Sequence, residues 1–226
     1  CRRENEMSLK ILFFDELKGF YKSMVMIILW IGMPLLTIIM HFIQPDTEGF
    51  PFTTLVAIVT ATIGGTLGSA MLGTSMANEM SYHVYELFLI RPVKRYNLIL
   101  AKFFAVYLCL FIAAIFSLIA GLIIDYFTIG ILSPTFIKLT FESLVTSMAA
   151  MAISCSIGVF FGTLIRSVAA AAILSVYVGN QLSAISVLVT LFIQIINPIL
   201  LTSIVGISLT LTFLIIAIVI LKKKQF

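Results

Sequence analysis

Charge is scarce in this sequence: 11% of its 226 residues are Asp, Glu, Lys or Arg, about half the share of a soluble domain. Apolar residues take the place of charge, at 61% of the chain with a mean hydropathy of +1.17. A soluble enzyme or a large receptor domain is excluded, because several membrane spans of about 20 residues each leave little chain for anything else. Cysteine and histidine are also nearly missing. Cys1, Cys109 and Cys155 have no CxxC spacing, and His41 and His83 stand far apart, which excludes a disulfide framework and a zinc ligand set. No metal site is expected. The phosphate loop GxxxxGK[ST] is absent, so this chain does not itself hold ATP in that way.

What is present is a series of apolar runs. They fall at 24–43, 52–77, 98–124, 143–165, 168–193 and 199–221, and the last two are separated within 55 uncharged residues only by Asn197 and Pro198. An all-α integral membrane protein with six transmembrane helices follows, as a single domain over 1–226. Ahead of the first run, residues 8–23 place Leu9, Leu12, Phe13, Leu17 and Phe20 on one side of a helix and Lys10, Asp15, Lys18 and Lys22 on the rest. That pattern predicts an amphipathic helix lying in the membrane interface. No short apolar core with a cleavage site precedes the first span, which is expected to stay in place. Residues 1–6 read as a non-native start or the tail of a longer product, with Met7 as the natural first residue.

The 14 basic residues report sidedness. Thirteen of them lie before the first span, between the second and third, between the fourth and fifth, or after the sixth; Lys138 is the exception and is spaced to pair with Glu142 on a helix. The positive-inside rule puts both termini in the cytoplasm. Basic residues at span ends call for anionic lipid, and no nucleic-acid partner is expected.

The segment 79–102 is the most informative. It mixes Glu79, Tyr82, His83 and Glu86 with Arg91, Lys94, Arg95 and Lys102, yet Val84, Leu87, Phe88, Leu89 and Ile90 are too apolar for a solvated connector. It is expected on the membrane surface, bound to lipid headgroups, or docked on a cytoplasmic partner. A helix over 79–90, stopped by Pro92, would present Tyr82, His83 and Glu86 together.

Two small-residue patterns, Gly64 with Gly68 and Gly158 with Gly162, allow close helix approach, either within one chain or at a dimer face. Asn180 and Gln181 stand midway in the fifth run, where a polar group faces protein or a cavity; they are candidates for interhelical hydrogen bonds or for a substrate path. Ser75, in the run Gly73-Thr74-Ser75-Met76-Ala77, has no histidine placed to serve as its base, which argues against an intramembrane protease. Catalytic residues are not expected.

The amphipathic amino-terminal helix, the six spans and the sequence Glu-Leu-Phe-Leu-Ile-Arg-Pro-Val-Lys-Arg followed by Ala-Lys resemble the membrane subunit of type-2 ABC transporters, the small bacterial and archaeal exporter permeases. Glu79, Glu86, Pro92, Val93, Arg95 and Lys102 match that family's loop, while Lys94 and Ala101 depart from its usual Ser or Thr and Gly. The resemblance implies that 79–90 is a coupling helix, with Glu79, Tyr82, His83, Glu86, Arg91 and Arg95 facing an ATPase subunit. It further implies two copies of that ATPase carrying ATP and Mg, and a second permease as homodimer or related heterodimer in the cell membrane. The alternative from the residues alone is an autonomous channel or membrane scaffold with no ATPase partner.

Overall fold

The computed structural model describes residues 2–43, 52–81, 95–129, 134–192 and 198–223, and every element among them is an α-helix. In chain order these are α1 (Arg2–Tyr21), α2 (Met24–Ile43), α3 (Phe52–Ser81), α4 (Arg95–Ile129), α5 (Pro134–Leu164), α6 (Val168–Phe192) and α7 (Pro198–Lys223). The six helices α2 to α7 are each long and apolar enough to cross a membrane, so the chain is an all-α, multi-pass membrane protein. Helix α1 is not among them.

Helix ends differ from the expected spans where local chemistry extends them. Pro134 is the first residue of α5 and Pro198 the first of α7; proline at a first helical position loses only an N–H that has no intrahelical acceptor. Helix α4 has 35 residues, about 52 Å of rise against a hydrocarbon core of about 30 Å. It therefore tilts or stands out of the core at one or both ends.

The bundle is built around α3, which packs on α4, α5 and α6, and around α5, which packs on α3, α6 and α7. Small residues make this possible. A Cβ added at Gly158 of α5 would lie 2.5 Å from the Ser69 carbonyl oxygen and 2.8 Å from the Ser69 Cα of α3, so the two backbones touch. One turn further on, Gly162 meets the Gly73 carbonyl in the same way, at 2.9 Å. Close backbone approach compensates for the weak hydrophobic drive between helices in lipid, where packing contributes most of the association.

Helix α2 is peripheral. It buries Met26, Leu29, Met33 and Thr37, a stripe spaced three or four residues apart, and leaves Ile28, Ile31 and Phe42 outward. The Trp30 indole donates to the Cys109 carbonyl of α4 at 3.0 Å, while Thr37 and Thr60 both reach Ser117, at 2.9 and 3.1 Å, and so join α2, α3 and α4 near mid-height. Cys109 and Cys155 are free, buried thiols, as expected of cysteines in apolar runs.

Helix α1 lies against α4. Leu12, Leu17 and Phe20 face the bundle, and Ile11 and Phe14 face away from it. The chain turns into α2 at Ser23, whose carbonyl accepts from Met26 and Ile27.

Candidate functional site

Where α1, α3 and α4 meet, a single ammonium is held by two carboxylates. Lys102 of α4 is 3% exposed and pairs with Glu79 of α3 and, at 3.5 Å, with Glu16 of α1. Its third contact is the Ser75 hydroxyl at 3.0 Å. An ammonium has three donors, and here each has an acceptor. Lysine can reach this place because its alkyl stem runs along apolar surface while the head meets its partners.

The cluster holds two acids and one base. Burial raises the Glu16 carboxyl above its ordinary value; Lys102 pulls it back by charge and hydrogen bond, and the charges of Glu79 and Asp15 push it up again. On Glu79, one oxygen meets Lys102 while Oε2 is buried with no hydrogen-bond partner among the described residues. A buried oxygen in that state is costly.

Geometrically, Ser75 and Lys102 form the contact of a serine-lysine nucleophilic pair. In that contact Lys102 is the donor, and the same ammonium also serves Glu79 and Glu16. The junction joins α1, α3 and α4.

The other end of the same two helices carries a second tie. Asp125 of α4 is 2% exposed and accepts from the backbone N–H of Phe52 at 3.2 Å, from that of Thr53 at 3.0 Å, and from the Thr53 hydroxyl. The first N–H groups of a helix lack intrahelical acceptors, and here they are satisfied by a carboxylate from the neighbouring helix. Its negative charge also suits the positive end of the α3 dipole.

Between α3, α5 and α6, in the half of the bundle nearer Asp125, a cavity of about 460 Å³ opens on one side. Its walls include Thr54, Ile58, Glu142, Thr146, Asn180 and Ser183. Glu142 pairs with Lys138 at 3.9 Å, the pairing expected from their spacing, and Lys138 is 75% exposed.

Among the residues singled out in the sequence, Glu79 lies in the junction with Lys102. Tyr82, His83, Glu86 and Arg91 lie outside the described residues; Arg95 opens α4, and its side chain also lies outside them. Asn180 borders the cavity, and Gln181 lies with Tyr177 on the outward face of α6. Gly64, Gly68, Gly158 and Gly162 are all buried inside the chain. Gly64 faces Met151, and a Cβ at Gly68 would lie 2.6 Å from Leu110 and 2.7 Å from Cys155. Of the two readings of these glycines, packing within one chain is the one seen in the described residues: Gly64 and Gly68 meet α4 and α5, and Gly158 and Gly162 meet α3.

One member of the junction, Glu16, escaped the sequence reading. Glu16 falls between Phe13 and Phe20 on the apolar stripe of α1, and its position among those residues was the available signal. Lys102 stood out in the sequence as a match to the family's loop, and its place is α4, the helix that follows that loop. Comparison of the chain with protein-family models and with curated proteins gives no match.

Proposed function

We propose that this chain is the non-catalytic transmembrane subunit of an ATP-driven ABC exporter, set in the cell membrane with both termini cytoplasmic. ATP and Mg belong to a separate ATPase subunit, present in two copies beside two permease chains. The observation that carries the reading is the Glu16–Lys102–Glu79 junction. It stands at the root of 82–94 on both sides and takes in α1. A load delivered to that segment by a partner enters α1, α3 and α4 together, as a rigid-body transport movement requires. The resemblance of 79–102 to a coupling loop supplies the partner, and an apolar six-span bundle supplies the path.

The test is purification of the chain from its native membrane, expecting a P-loop ATPase at equal copy number and ATP-dependent flux in vesicles containing both. Glu86→Lys should abolish that association while insertion is retained, since a reversed charge at a docking surface sets like charges together at a cost of several kcal/mol. Purification without any ATPase would replace this reading with that of an autonomous channel or scaffold.

A further inference from the structure

The cavity between α3, α5 and α6 is selective in its chemistry. Its walls are mostly apolar, and its size falls in the range of about 300–1,000 Å³ typical of small-molecule sites. Five of the six hydroxyls that line it are spent on their own helices. Thr62 donates to the Val59 carbonyl, Ser143 to Thr140, Thr146 to Glu142, Ser147 to Leu144 and Ser183 to Asn180, all between 2.8 and 2.9 Å. An anion entering the cavity would find few donors. A cation would find the Glu142 carboxylate, the one ionisable side chain among the described residues of the walls. Lys138 competes weakly, because its ammonium is exposed and 3.9 Å away, and pairs of that kind contribute little.

We propose that this cavity binds an amphiphilic organic cation, with the positive centre at Glu142 and the apolar body against Ala57, Ile58, Ala61 and Ala150. That the ligand is also the exported cargo rests on the transport reading; binding itself does not. Asn180, at the cavity's edge on α6, offers a side-chain amide for a polar substituent.

The experiment compares tetraphenylphosphonium with tetraphenylborate, ions of like shape and opposite charge, on the purified chain in phosphatidylcholine nanodiscs. Saturable binding is measured after subtraction of empty nanodiscs. Tetraphenylphosphonium should bind saturably and tetraphenylborate should not. Glu142→Gln should weaken the cation about tenfold, the scale of one charged contact, with an unchanged thermal transition of Trp30 fluorescence. Ala184→Phe, at the exposed rim, should remove binding. Lys138→Gln removes the competing ammonium from a solvated site, so it should keep or strengthen binding whatever Glu142→Gln does to folding.

Equal binding of both ions, as a lipid-filled groove would give, overturns the proposal. So does cation binding that Glu142→Gln leaves unchanged or that Lys138→Gln weakens. If Ala184→Phe dissociates a dimer and neither ion binds, the cavity is an interface between two copies and the proposal fails. Cation binding by a chain that brings no ATPase would leave this site standing and remove only the transport reading.

Discussion

Lys102 is the residue on which three helices depend. Lys102→Met would leave Glu79 and Glu16 facing each other in a buried place without their cation, at a cost of about 3 kcal/mol. Adding Glu79→Gln and Glu16→Gln should recover most of the loss. Thermal unfolding in mild detergent checks both variants; equal stability of the single and triple variants would show that the charges are already solvated. Glu16 adds a pH dependence whose sign follows from its raised carboxyl. A carboxyl with a higher value in the folded chain than in the unfolded one takes up a proton on folding, so α1 holds more tightly below that raised value and loosens as pH rises through it. Hydrogen exchange over residues 10–21 should quicken across that window, and Glu16→Gln should flatten the response. Slower exchange at higher pH would reverse the assignment. Glu79 stood out in the sequence through its place in a recognisable loop, but Glu16 did not, because one acid on the apolar stripe of an interfacial helix names no partner until its neighbours on α4 are known.

Among the elements, α3 and α5 show how far a pattern of small residues can be read. Glycine spacing announces close packing without naming the partner. Gly68 belongs against Leu110 and Cys155, and Gly158 against the backbone at Ser69; both partners lie far away in sequence. Gly158→Ala should force α3 and α5 apart and destabilise by about 1–3 kcal/mol, the usual cost of overpacking. Gly19→Ala in α1 meets nothing within 4 Å and should gain up to about 1 kcal/mol of helix propensity. Trp30 fluorescence on heating distinguishes them, and a neutral Gly158→Ala would mean that the crossing is looser than 2.5 Å implies. The six spans were legible because bilayer thickness demands long apolar runs. Their true ends were not, since Pro134 and Pro198 carry both a turn signal and a helix-start signal.

At the scale of the whole molecule, one labelling pattern follows from six crossings. Cysteines introduced at Thr128 and Ser81, both exposed, should react from opposite sides of the membrane, with Thr128 outside and Ser81 reached only after permeabilisation. Same-side labelling would break the six-span order. A mechanical property follows from the two ties on α3 and α4. Asp125 and Lys102 are 23 residues apart on α4, about 35 Å along its axis, and each grips the facing end of α3. Two rods pinned at both tips do not slide past each other, so no piston stroke is available to them. Against α5 they bear at the crossing of Ser69 and Gly158, near the middle of α3. A push at the Lys102 tip would therefore have to be carried by the pinned pair as one body, as far as Thr53, one residue from the rim of the cavity at Thr54.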